Sequence, residues 1–220
     1  MDLSRQRLQS SHNSLLNVWQ SNYAELAAEV VSAVKVKNFL DLGANTGAVV
    51  EFLSSYLDSD TQITCFEPVR ENFDFLKETV DRVGRSGSST LIQKAVFYGK
   101  TTAVACGVGD NNTGGMFVDD VATEISATDH RRAIATSITF DCTTLERELT
   151  VPQIDLCKID VEGSEWNILS NSSYVKERVD HILLEYHWKS KQETLEWLSV
   201  NLPSHEVFKI VSDTIWLRRR

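Results

Sequence analysis

Several protein classes are excluded by what this sequence lacks. Its 220 residues hold four cysteines, Cys65, Cys106, Cys142 and Cys157, with no CxxC pair and no Cys/His cluster at zinc spacing. A zinc ribbon or a dithiol redox motif is therefore not expected. Three of the four lie in apolar strand-like runs, where Cys packs as a small hydrophobe. The set reads as the reduced thiols of a cytoplasmic protein. No apolar run approaches the ~20 residues that span a bilayer. The first residues, "MDLSRQRLQSSHNS", contain no apolar signal-peptide segment. Basic charge is also scarce: 22 Lys and Arg stand against 31 Asp and Glu, a net charge of −9. A general nucleic-acid binder presents a basic face, so nucleic acid is not an expected partner. The one basic cluster, Arg218 to Arg220, reads as a solvated tail. The remaining composition, 42% apolar and 24% charged, is that of a soluble globular chain. Its length suits a single domain over residues 1–220.

The pattern along the chain is that of an α/β protein. Residues 14–34 carry apolar side chains at helical spacing, as one helix or as two with a break near Ser21 and Asn22, within an N-terminal helical segment over 1–36. "KNFLDLG", "QITCFEP" and "STLIQKAVF" read as strands, separated by the helices "AVVEFLSSYL" and "RENFDFLKETVDRVG". Strand–helix alternation of this kind builds a parallel sheet wrapped by helices. Residues 99–140 depart from it. They hold four glycines between Gly107 and Gly115, with "MFVDDV" and "IATSITFDC" as extra strand candidates, and read as an inserted antiparallel piece. The regular pattern resumes with the strand "VPQIDLCKID", the helix "GSEWNILSNSSYVKE", the strand "DHILLEYH" and the helix "KQETLEWLSVN". "EVFKI" and "TIWLRRR" then form a terminal hairpin.

Two strand ends carry polar chemistry. "FLDLGANTGAVV" turns from strand to helix through Gly43 and Gly47, which allow a tight turn and close approach of a ligand. The GxGxxG dinucleotide fingerprint is not matched, because Asn45 and Ala48 replace its second and third glycines. A nicotinamide enzyme is correspondingly disfavoured. Asp41, an acid before the loop, suits an ammonium or sulfonium better than a pyrophosphate. Glu67 ends the next strand, 20 residues past Gly47, where an acid can accept hydrogen bonds from ribose hydroxyls. Together Asp41, Gly43, Gly47 and Glu67 describe a pocket for a nucleoside with a cationic amino-acid tail, that is, S-adenosylmethionine. The second polar strand end is "KIDVEGSE", Lys158 to Glu165, in which four of eight residues are charged. Buried parallel strands normally read as continuous apolar runs, so this charge is either paired for structure or placed for chemistry.

The segments "DLGANTG", "CFEP", "CKIDVEGSEWNIL" and "ILLEYH" resemble, in order and spacing, the FkbM family of S-adenosylmethionine-dependent methyltransferases, over roughly residues 38–190. The resemblance implies a Rossmann-like class I methyltransferase fold: a seven-stranded, mostly parallel sheet with a C-terminal antiparallel hairpin and helices on both faces. It implies O-methylation of a hydroxyl on a sugar, glycan or natural product, with S-adenosylhomocysteine as the other product. The cofactor-binding set it implies is Asp41, Gly43, Ala44, Asn45, Thr46, Gly47, Glu67, Pro68, Ala95 and Asp160. Two features depart from the family pattern. Glu146 in "TTLERE" replaces an Asp, and residues 99–140 match nothing in it and are expected to shape the acceptor pocket.

In such a fold the strand ending at Asp160 lies beside those ending at Asp41 and at "LLEYH", at the switch point where ligands bind. The catalytic candidates are Asp160, His187, Lys158, Glu162 and Glu185. Asp160 or His187 is the first choice for the base that deprotonates the acceptor. Lys158 is expected to hold an acid ionised or to orient the acceptor, and Glu162 to meet the acceptor or cofactor. Structural readings stand beside these: Lys158 as an ion-pair partner inside the sheet, Glu165 as a first-turn helix acid, and Trp188 as core rather than as a stacking surface at the pocket rim. A Mg²⁺ held by Asp160, Glu185 and His187 is possible but not favoured, since Mg²⁺ prefers oxygen ligands. Transfer to an amine, a protein or a nucleic acid, or a nucleoside-binding module without catalysis, are the competing functions.

Overall fold

The computed structural model describes residues 3–18, 20, 23–108, 116–118, 134–187 and 189–220. Its centre is a seven-stranded sheet. β1 (Asn38–Leu42), β2 (Gln62–Phe66) and β3 (Ser89–Ile92) run outward on one side. β8 (Ile154–Ile159) and β9 (Val179–Glu185) lie on the other. The hairpin β10 (His205–Val211) and β11 (Thr214–Arg219) completes the order β10-β11-β9-β8-β1-β2-β3. β11 is antiparallel to both of its neighbours, and the remaining pairs are parallel. The seven-stranded mostly parallel sheet and the antiparallel C-terminal hairpin expected from the sequence are both present.

Side chains alternate across the pleat, and this makes two cores from one sheet. Phe39, Leu156, Leu183 and Trp216 point to one face and pack on Leu26, Val30, Val50, Leu53, Leu76 and Val80. Those partners come from α2 (Ala24–Ala33), α3 (Ala48–Leu53) and α4 (Arg70–Arg82). Their sequence neighbours Leu40, Cys157, Ile182 and Leu217 point the other way. They pack on Ile168, Leu169, Val175 and Leu198 from α6 (Glu165–Asn171), α7 (Ser173–Arg178) and α8 (Lys191–Asn201). The central strands are apolar on both sides because both sides are covered.

Local sequence sets the helix ends. Ser190 and Glu193 form a reciprocal capping box at the start of α8. Gly84, at φ +72°, ends the "RENFDFLKETVDRVG" helix in the left-handed conformation that glycine adopts without strain. "GSEWNILSNSSYVKE" is two helices rather than the expected one. The Ser172 side chain accepts from the Val175 N–H and caps the second. Glu146, the residue that departs from the family pattern, reinforces this junction: one carboxylate oxygen accepts from Ser172 Oγ, Ser173 Oγ and the Tyr174 N–H. It lies in the short helix α5 (Leu145–Glu148).

The N-terminal segment forms two helices, α1 (Leu3–Val18) and α2, so helix begins earlier than residue 14. The expected break at Ser21 and Asn22, like Trp19 and Trp188, lies outside the described residues. "STLIQKAVF" also divides. Its first half is β3, and its second half, β4 (Ala95–Val96), leaves for a smaller sheet of order β4-β7-β5-β6. There β5 (Thr102–Val108) pairs antiparallel with β6 (Met116–Val118) and β7 (Ile134–Thr143). The antiparallel insertion is therefore present, with β5 as a strand that was not expected. No described helix is long and apolar enough to cross a membrane.

Candidate active site

The chain order runs outward from β1 through β2 to β3, and in the opposite direction from β8 to β9. β1 and β8 are hydrogen-bonded neighbours, so a crevice opens past their carboxyl ends. Two loops line it, one after each strand.

The loop after β1 is held by the end of β2. The N–H groups of Gly43 and Ala44 both donate to the Phe66 carbonyl, at 3.1 and 3.0 Å. The Asn45 N–H donates to Glu67 Oε2 at 2.9 Å, and the other oxygen of Glu67 accepts from the Val69 N–H at 2.9 Å. Glu67 is buried, and burial raises its pKa to about 7 against the opposing pull of the Val69 and Asn45 N–H groups. Asn45 adopts φ +49°, a left-handed backbone that Asn tolerates better than most side chains. Gly43 is required for close packing: a Cβ there would sit 1.9 Å from the Asp160 carbonyl oxygen.

Beneath the loop lies an ion-pair network inside the sheet. Asp41 and Lys158 are register partners on β1 and β8. Lys158 Nζ lies 2.8 Å from the Gly43 carbonyl, 3.2 Å from Asp160 Oδ2 and 3.4 Å from Asp41 Oδ1. Burial would lower the Lys158 pKa, but the carboxylates of Asp160, Asp41 and Glu185 outweigh it and the net shift is upward. Asp41 shifts upward as well, because its complete burial exceeds the help of a lysine it shares with Asp160. Apart from the Lys158 ammonium, neither Asp41 oxygen has a hydrogen-bonding partner among the described residues.

The loop after β8 carries the second cluster. Glu165, fully buried at the start of α6, accepts from the N–H groups of Val161 and Gly163 through Oε1, at 3.0 and 3.1 Å. The same oxygen meets His187 Nδ1 at 2.9 Å. This fixes the ring so that Nε2 faces Glu162 at 3.6 Å and Glu185 at 4.0 Å. Trp166 Nε1–H donates to the His187 carbonyl at 3.2 Å and steadies the backbone there. Burial disfavours a charged His187, but the Glu165 hydrogen bond and the surrounding carboxylates raise its pKa to about 10. Burial is the first cause that raises Glu162 to about 8 and Glu185 to about 7, with nearby acids adding to it.

One cavity joins the two loops. Gly43, Ala44, Asn45, Glu67, Pro68, Ala95 and Asp160 of the expected cofactor set line it. Lys158, Glu162 and Glu185 of the expected catalytic set line it too. Three expected cofactor residues do not. Asp41 is sealed under Lys158, Thr46 is fully buried, and Gly47 packs against Leu76 and Thr79 of α4. His187 stands behind Glu162 and Glu185 rather than at the wall. Leu15, Tyr23, Lys94 and Phe140 line the cavity although the sequence did not single them out. Phe140, the last residue of the 99–140 segment, belongs to β7 and lines the cavity. Asp160, Glu185 and His187 also offer donor atoms within 4.8 Å of one another, a spacing that suits a divalent cation. The imidazole makes the set less apt for Mg²⁺ than an all-oxygen group.

A family model described as "Methyltransferase FkbM domain" matches residues 41–208. The chain belongs to the FkbM methyltransferase family. It is an S-adenosylmethionine-dependent methyltransferase. The match takes in both loops of the crevice and both strands that carry the charge. The fold is shared with solved methyltransferases. One is the O-methyltransferase from Bacillus cereus in complex with S-adenosylhomocysteine, at 10% identity and a TM-score of 0.56, covering 100% of this chain and 92% of that one. Another is a methyltransferase from Geobacter sulfurreducens, at 10% identity and a TM-score of 0.52, covering 97% of this chain and 88% of that one. No curated protein matches the FkbM methyltransferase at a significant level.

Proposed function

We propose that this FkbM methyltransferase transfers a methyl group to a hydroxyl of a sugar, glycan or other natural product. The observation that carries the reading is the set of acids at the cavity wall, Asp160, Glu162 and Glu185, backed by His187 and Glu165. A neutral amine attacks through a lone pair it already has. A hydroxyl must lose its proton as the bond to carbon forms, and it needs a base within reach.

Bound S-adenosylmethionine supplies an electrophilic methyl carbon. Gly43, Ala44, Asn45, Glu67, Pro68 and Ala95 would hold it, Glu67 by fixing the loop and receiving ribose hydroxyls. Glu185 takes the acceptor proton, because a pKa of about 7 lets it be ionised at neutral pH and still accept a proton readily. His187, a first choice from sequence, keeps its own proton with a pKa of about 10, so it serves as the fixed positive charge beside Glu185 and Glu162. Glu162, at about 8, is largely protonated at pH 7 and can donate a hydrogen bond to a second hydroxyl of the acceptor. Lys158 orients Asp160 at the cavity wall. Holding the acceptor oxygen in line with the methyl carbon contributes as much as the base or more.

The test is methyl transfer from S-adenosylmethionine to a panel of sugars, glycosides and matched amines, wild type beside Glu185→Gln. The expected result is transfer to a hydroxyl, with kcat lowered about 10²–10⁴-fold in the variant. Transfer to amines alone, with Glu185→Gln unimpaired, would overturn the reading.

A further inference from the structure

The first turn of the cofactor loop is gripped by a helix that precedes the family-matched region. His12, in the middle of α1, is 1% exposed. Its Nδ1 lies 3.1 Å from Thr46 Oγ1, and its Nε2 lies 2.5 Å from Glu51 Oε2 on α3. Its ring also packs on Phe75 of α4, at 5.3 Å between centroids. Thr46 is held from the far side too, where its carbonyl accepts from Thr79 Oγ1 at 2.9 Å. Glu51 is in turn paired with Arg82. A buried imidazole is costly unless both of its nitrogens find partners, as they do here.

The loop has reason to need support. Asn45, next to Thr46, occupies a left-handed backbone that a non-glycine residue adopts at a cost. Such a conformation persists where its surroundings over-determine it. Three elements do so here: Glu67 holds the Asn45 N–H, Thr79 holds the Thr46 carbonyl, and His12 holds the Thr46 hydroxyl. The same N-terminal segment also reaches the cavity directly. Leu15, one turn beyond His12, lines it, and so does Tyr23.

The geometry points to the N-terminal helical segment as a working wall of the cofactor site, with His12 as the positioning residue that sets the loop through Thr46. Docking of α1 and binding of the cofactor are then linked. Each favours the other by the same factor. The inference rests on the methyltransferase reading of the cavity and extends it to a segment outside residues 41–208.

Calorimetric titration of S-adenosylhomocysteine into wild type, His12→Ala, His12→Asn and His12→Gln tests it. Asn places an amide near the Nδ1 position and keeps the Thr46 contact. Gln places one near Nε2 and keeps only the Glu51 contact. The expected result is a Kd raised about tenfold in the Ala and Gln variants, within the range typical of coupled sites, and near wild type in Asn. A merely structural histidine would lower the melting temperature in the variants without separating their affinities. If Asn binds no better than Ala or Gln, the inference is wrong. Should Ala fail to fold, the Asn and Gln pair still decides. Hydrogen exchange supplies the reciprocal measurement on wild type: residues 3–18 gain protection when S-adenosylhomocysteine is added, and unchanged protection overturns the linkage. Failure of wild type to bind the ligand at all would instead refute the cofactor assignment.

Discussion

Removing the charge of Lys158 is the sharpest probe of the site's foundation. Lys158→Met keeps the unbranched stem as far as Cε and deletes the ammonium. Three oxygens lose their partner: the Gly43 carbonyl at 2.8 Å, Asp160 at 3.2 Å and Asp41 at 3.4 Å. Asp160 is part-exposed and recovers solvation. Asp41 is fully buried, and among the described residues neither of its oxygens has a partner besides Lys158. Leaving one member of a buried pair behind costs about 3–5 kcal/mol, a large share of the ~5–15 kcal/mol that stabilises a domain. Replacing both members with apolar groups of similar size is close to neutral. The double variant Asp41→Leu with Lys158→Met should therefore regain most of the loss, short of ~1 kcal/mol for the Gly43 carbonyl. Urea unfolding followed by circular dichroism measures all three proteins. The pH dependence has a definite sign. Burial already holds the Asp41 pKa above its unfolded value in wild type, and loss of Lys158 raises it further. The folded variant then binds a proton that the unfolded chain has released, so its stability rises as pH falls from 7 toward 5 and the deficit against wild type narrows. A single variant within about 1 kcal/mol of wild type, or a double variant no better than the single, would refute the claim that Asp41 and Lys158 are a mutually dependent pair.

Further consequences concern the loop, the base and the cation question. Gly43→Ala drives a Cβ to within 1.9 Å of the Asp160 carbonyl at a φ of +79°, so it should cost several kcal/mol, about the range of severe backbone and packing defects, and abolish S-adenosylhomocysteine binding; binding within twofold of wild type would show that the loop yields. The rate of methylation, as kcat/KM, should rise with pH through about 7 and level off, because Glu185 must lose its proton to act. A flat profile from pH 6 to 8 would remove Glu185 from the role. Removal of divalent cations by a chelator should leave activity unchanged, since a protonated His187 has no lone pair at Nε2 for a metal; recovery of lost activity on adding Mn²⁺ would reassign Asp160, Glu185 and His187 as ligands.

Much of this architecture is local and therefore legible along the chain. Alternation of apolar strands with amphipathic helices specifies a parallel sheet wrapped on both sides, because each strand and helix must bury its own face. Gly43 and Gly47 mark the turn, and Glu67 marks the strand end, because backbone conformation and strand termini leave signatures within a few residues. The charges of "KIDVEGSE" were equally visible, yet their division of labour was not. Lys158 faces down to Asp41, Glu165 turns inward to hold His187, and Asp160 and Glu162 line the cavity. Adjacent residues took different roles because pleating, one left-handed residue at Glu162 and the first turn of a helix sent them in different directions. His12 left no signal of its own, because its partners Thr46 and Glu51 lie 34 and 39 residues away. The sequence by itself determined which strands end in chemistry. Which of those side chains is driven to titrate, which pairs and which lines the cavity depended on burial and on neighbours brought together from distant positions, and only the tertiary structure decided that.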